Sequence, residues 1–137
     1  MRRVALIGFL CCAWALAAQP VPNPPAVSII QLISTPERFS GKAVTVVGLL
    51  MARSERTILF LSAEDAKHYI SNNGVWLHPG AQMSEAVEKL DGNYVLVVGT
   101  FAAYPPDSVH LSSGEIRNIR RIVRWGSADD SQRSEEK

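Results

Sequence analysis

Gly41-Lys42-Ala43-Val44-Thr45-Val46-Val47-Gly48 returns further along the chain as Gly92-Asn93-Tyr94-Val95-Leu96-Val97-Val98-Gly99. Both stretches have the form G-x-x-V-x-V-V-G, and nothing else in the chain repeats, which excludes a solenoid of stacked units. Apolar residues in alternation, many of them β-branched, suit a pleated strand with one buried face. The first glycine of each copy sits where a turn must feed the strand. The second lies inside the strand, a position that marks a bulge or a sharp bend at a barrel corner. Two long strands, each bent in its middle, are what a small closed β-barrel needs.

Working outward from these copies, the first predicts a strand over 43–51 and the second a strand over 94–104, stopped by Pro105-Pro106. Between them, Ser54-Glu55-Arg56 is a polar turn and 57–61 a returning strand. Ser62 is placed to cap a short helix, with Glu64 and Asp65 in its first turn, where carboxylates suit the helix dipole. Asn72-Asn73-Gly74 breaks the chain before a brief third strand over 75–77. Residues 84–90 show helical spacing through Ala86, Val87 and Leu90, and that helix closes at Asp91-Gly92. Ahead of the first copy, Ser28 can cap a helix whose apolar face is Ile29, Ile30, Leu32 and Ile33. Pro36 then opens a second turn that ends near Gly41.

The last apolar segment, 115–125, reads E-I-R-N-I-R-R-I-V-R-W. It fits a basic amphipathic helix, with Ile116, Ile119 and Val123 on one side. It also fits a strand, which three isoleucines, a valine and a tryptophan prefer, provided one bulge interrupts the alternation.

The two ends read differently from the middle. Met1-Arg2-Arg3 is followed by an uncharged apolar run from Val4 to Ala18, with small-residue cleavage sites at Ala15-Leu16-Ala17 and Leu16-Ala17-Ala18. That is the pattern of a secretory signal, predicted over 1–18 with cleavage after Ala17 or Ala18. At about 1.5 Å per residue the run reaches roughly 22 Å, short of the ~30 Å hydrocarbon core, so no permanent membrane span is expected. Both cysteines, Cys11 and Cys12, lie in this run without the residues a lipid-anchor signal requires, and the mature chain is expected to have no disulfide. Residues 19–26 are rich in proline and are expected to form an extended linker. The folded domain is expected over 27–125, and 126–137 reads as a polar, solvated tail. The destination is the periplasm or the exterior.

Removal of the signal takes two of the 14 basic residues and leaves 13 acidic ones in place, so the mature charge is slightly negative. A protein that holds nucleic acid normally carries a marked basic excess. That partner is not expected here.

The strand and helix order is that of a mainly β, five-stranded OB-like barrel, with a helix at its N-terminus and another between strands 3 and 4. The residues also resemble a widespread group of small exported bacterial OB-fold-like proteins of unassigned function. The matching stretches begin with Leu32-x-x-x-Pro36-Glu37-x-x-x-Gly41-Lys42-x-Val44-x-Val46-x-Gly48 and Leu59-x-Leu61-Ser62-x-Glu64-Asp65-Ala66. They continue with Asn73-Gly74-Val75-Trp76-Leu77 and Leu90-x-Gly92-x-Tyr94-Val95-x-Val97-x-Gly99-Thr100-Phe101, and end with Ser113-Gly114-x-Ile116-x-Asn118-Ile119. Together they span most of 29–119. The resemblance implies that 115–125 is the fifth strand. Members often carry Gly-His in the loop before that strand. Here Asp107-Ser108 occupies the place and His110 is displaced.

Fold does not confer chemistry. His68, His78 and His110 have no ligand at metal spacing, so no metal or other cofactor is expected. His68 follows Asp65 by three residues, the spacing of a helix-surface ion pair. No Ser-His-Asp arrangement and no carboxylate cluster on the first strands suggests catalysis. The arginines are more informative. Arg117, Arg120, Arg121 and Arg124 stand against the single acid Glu115, either as a surface for anions or as a charged strand edge guarded against aggregation. OB-folds bind ligands through loops on one side of the barrel, which here hold Arg53 and Arg56 in or beside the first hairpin and Tyr104 after the fourth strand. Trp76, between Val75 and Leu77, reads as core. The candidate ligand-binding residues are therefore Arg53, Arg56, Tyr104, His110, Arg117 and Arg121. They suit a non-catalytic binding module for a protein, a glycan or an anionic small molecule. The alternatives are a structural or assembly subunit of an envelope complex and a small secreted enzyme with an unrecognised site.

Overall fold

A computed structural model describes residues 22–126. The expected signal, most of the tail and the first part of the linker lie outside the described residues. Five strands, β1 (Ala43–Arg53), β2 (Arg56–Phe60), β3 (Gly74–Leu77), β4 (Tyr94–Ala103) and β5 (Gly114–Arg124), close into a barrel in the order β1-β2-β3-β5-β4. All neighbouring pairs are antiparallel except β3–β5. Helices α1 (Ile29–Ser34) and α2 (Pro36–Phe39) precede the barrel, α3 (Ala63–Lys67) follows β2, and α4 (Ser84–Leu90) joins β3 to β4. The mainly β barrel with OB-like strand order, an N-terminal helix and a helix between strands 3 and 4 is the fold expected.

β1 holds two partners in succession. Residues 43–49 pair with β4 and 49–53 with β2, and the changeover falls beside Gly48. A Cβ on Gly48 would lie 2.7 Å from the carbonyl oxygen of Phe60 and 2.6 Å from Cδ1 of Ile29, so only glycine lets the strands close there. Gly99 does the same on β4, where a Cβ would lie 2.8 Å from the carbonyl oxygen of Arg117. The β4–β5 register slips at this point, from Val98–Arg121 to Thr100–Arg117, so β5 carries extra residues and Asn118 takes φ +49°. This is the bulge that a strand reading of 115–125 required.

Val44, Val46, Leu50, Leu59, Val75, Leu77, Val95, Val97, Phe101, Ile116, Ile119 and Ile122 fill the barrel, with Ile29 and Leu32 of α1 and Val87 of α4 packed against them. α1 is held by a capping box in which Ser28 and Gln31 exchange hydrogen bonds. Ile30, expected on its buried face, is instead 58% exposed, because six residues of helix bury only one narrow stripe. A second cluster lies on the outside of the wall, where Leu49, Ile58 and Phe60 pack with Ala66 of α3. Trp76 packs against this outer cluster and not in the core, since the buried Val75 and Leu77 take both neighbouring inward positions. The inner end of the expected linker is bound to the barrel: Thr45 donates its amide to the Pro25 carbonyl and its hydroxyl to that of Pro24, and Ala26 bridges to Thr45. Among the described residues no helix is long and apolar enough to cross a membrane.

Candidate functional site

Glu115 is the second residue of β5. It stands opposite Trp76 on β3 and Ala102 on β4. Ile116 points into the core, so Glu115 faces outward, yet it is only 4% exposed because three side chains close over it. Tyr104 donates its hydroxyl to Oε2 over 2.9 Å, and Nε2 of His78 stands 2.5 Å from the same oxygen. The guanidinium of Arg117 meets Oε1.

Burial alone pushes the Glu115 carboxyl up. The hydrogen bond from Tyr104 and the charges of His78 and Arg117 outweigh burial and hold it below its usual value. Tyr104 moves the other way, to about 12, through burial, its hydrogen bond to Glu115 and the adjacent negative charge. At neutral pH Glu115 is therefore an ionised acceptor and Tyr104 a protonated donor, each holding the other in that state.

This pair organises the β4–β5 loop. The Tyr104 amide bonds to the Ser113 carbonyl, closing the loop at its base. Ser112, which is buried, donates its hydroxyl toward the carbonyls of Gly74 and Gly114 and ties the loop to β3. The His110 ring stacks on Tyr104 with 4.1 Å between centroids and 19° between planes. Between this loop, the α1–α2 corner and the turn at Ser71–Asn73 lies a cleft of about 530 Å³. Tyr104, Pro105, Pro106 and His110 form one wall and Asn72, Asn73 and Glu37 contribute polar groups. Among the described residues no lysine or arginine lines it.

Of the expected site residues, Tyr104 and Arg117 contact Glu115, and the others lie further off. Tyr104 and His110 line the cleft. Arg117 lies on the other side of the carboxylate, next to His78. Arg53 and Arg56 face one another across the β1–β2 hairpin, and the Arg56 guanidinium lies 5.9 Å from the centre of the Trp76 ring. Arg121 is exposed on β5, opposite Val98. His68 pairs with Glu64, 2.8 Å away, and not with Asp65. Asp65 instead accepts hydrogen bonds from Ser62 and Asn73, which hold its carboxyl below the usual range. Glu115 and His78 were not anticipated. The signal for Glu115 was its position just before the inward-facing Ile116, where alternation places an acid on the wall beside Trp76.

The chain matches no family model and no curated protein. Among solved structures it is similar to one described as "a putative aspartyl-tRNA synthetase from Leishmania major Friedlin", at 14% identity and TM-score 0.45, over 78% of this chain and 22% of that chain. This chain thus spans less than a quarter of that protein.

Proposed function

We propose that this chain is an exported, non-catalytic binding module of OB type whose ligand sits in the cleft beside the Tyr104–His110 pair. The observation that carries the reading is the fixed Tyr104 ring, locked through Glu115 and stacked on His110 at the mouth of a preformed cleft. Pre-ordered groups lose little freedom on binding, so they contribute more affinity than mobile ones. The cleft offers flat rings and prolines beside amides and hydroxyls and, among the described residues, no lysine or arginine, a lining that suits an uncharged, hydroxyl-rich ligand. Its place beside the β4–β5 loop is also where OB-folds hold ligands. Export rests on the N-terminal pattern of residues 1–18.

The reading is tested by recording amide spectra of the labelled protein during titration with maltotriose and with chitotriose. Shifts confined to 71–73 and 104–113, and abolished in His110→Ala, are the expected result. A flat titration with both sugars, or shifts that persist in His110→Ala, would reject a neutral-sugar site.

A further inference from the structure

Outside the cleft, a line of basic side chains crosses the barrel wall. Arg53 on β1 is the direct partner of Arg56 on β2. One further step of the β2–β3 register beyond Thr57–Leu77 sets Arg56 opposite His78, and His78 and Arg117 meet on the Glu115 carboxylate. With strands about 4.8 Å apart, the three steps from Arg53 to Arg117 cover roughly 14 Å. Arg121 extends the line along β5, because the bulge at Asn118 sets Arg117 against Thr100 and Arg121 against Val98, alternate residues on the outer face of β4.

Like charges placed directly opposite on a sheet destabilise it unless a counter-charge is present. Among the described residues Arg53, Arg56 and Arg121 form no ion pair. Glu55, in the hairpin turn beside them, forms none either, and Glu115 is already shared by His78 and Arg117. Arg53, Arg56 and Arg121 therefore hold positive charge without an ion-pair partner among the described residues, in a chain that is close to neutral as a whole.

We infer that this face binds a linear acidic polysaccharide, its carboxylates taken by Arg53, Arg56 and Arg121, the arginines of the line that have no ion-pair partner among the described residues. Arginine forks match carboxylate geometry. The line runs across the strands and not along one of them. A peptide lying on it would therefore gain no backbone ladder of the kind that strand addition supplies. Single-stranded nucleic acid needs open ring faces for its bases, whereas the ring on this line, Trp76, is half-buried and has Arg56 over it. A chain of rigid sugar rings with an acid on each needs neither support. This inference does not depend on occupancy of the cleft.

The test is binding of polygalacturonate to the purified full chain, measured by calorimetry at two salt concentrations. Dextran, poly-L-glutamate and a thymidine oligonucleotide serve as separate arms. The expected result is salt-sensitive binding of polygalacturonate alone, weakened about tenfold or more in the Arg53→Ala/Arg56→Ala double variant. Circular dichroism of that variant should be unchanged, because both side chains are exposed. Asn72→Ala, in the cleft, should leave this binding intact. Absence of polygalacturonate binding, equal affinity in the double variant, loss in Asn72→Ala, or tighter binding of the peptide or oligonucleotide would each overturn the inference.

Discussion

Tyr104 and Glu115 stand at the two ends of the β4–β5 loop and are joined by a 2.9 Å hydrogen bond from phenol to carboxylate. The bond orders the loop and satisfies a carboxylate that is almost wholly withdrawn from water. Removing the hydroxyl leaves that charge short of a donor, and hydrogen bonds to charged groups contribute about 1.5–3 kcal/mol. Tyr104→Phe is therefore expected to lower unfolding stability by about 1–3 kcal/mol in urea. Amide exchange should accelerate mainly over 104–113. An unchanged midpoint with unchanged exchange would show that the bond does not hold the loop.

The same pair sets two pH limits. Glu115 has a folded-state value below its ordinary 4.5, so its contribution is present above the unfolded value and is lost as pH falls through the folded one. Asp65 acts with the same sign. Glu115→Gln should lower stability at neutral pH and flatten the acid limb of a stability-versus-pH curve, leaving the part due to Asp65. At the alkaline end, Tyr104 is raised from 10 to about 12, so its contribution holds below 10 and disappears as pH rises through about 12. Ultraviolet titration should show one of the three tyrosines ionising last, and that step should be absent in Tyr104→Phe.

The fold was legible because the two glycine-bearing ribbons carry both signals a barrel requires, alternation for the wall and a mid-strand glycine for the bend. The site was less so, for identifiable reasons. Trp76 between two apolar neighbours looked like core, but with only four residues in β3, alternation sends Trp76 to the outer wall while Val75 and Leu77 take the inside. Arg117 was expected in a surface for anions or on a charged strand edge. It is paired, because the chain returns Glu115 to the surface just where Tyr104, His78 and Arg117 converge from separate elements. No local pattern reports that convergence. Residues 24–26 looked like linker from their prolines, yet a proline carbonyl still accepts hydrogen bonds, and Thr45 uses two of them.

The glycines that shape the barrel should differ sharply on substitution. Gly41 has φ +78° with nothing within 4 Å of a would-be Cβ, so Gly41→Ala meets only backbone strain, about 1–2 kcal/mol. Gly48→Ala would drive a methyl group against the Phe60 carbonyl and the Ile29 and Leu59 side chains at the β1 changeover. Overpacking of that kind costs about 1–3 kcal/mol or more, and here it strikes backbone that cannot move without opening the barrel. Urea unfolding should show a clearly larger loss for Gly48→Ala. Equal losses would mean that β1 does not need the close approach.

The bulge at Asn118 links fold to surface, since it brings Arg117 and Arg121 to alternate positions along β4. A left-handed backbone is tolerated by glycine and asparagine and disfavoured by β-branched residues. Asn118→Gly should therefore change stability little, and Asn118→Val should cost about 1–3 kcal/mol if the bulge persists. If valine instead removes the bulge, the register slips, Arg117 leaves the Glu115 carboxylate, and the late tyrosine ionisation should move further up, because the Arg117 charge that lowers it is withdrawn. Measuring stability and phenolate titration on both variants separates these outcomes. A valine variant as stable as wild type, with its late tyrosine unmoved, would show that the backbone at Asn118 is not constrained as described.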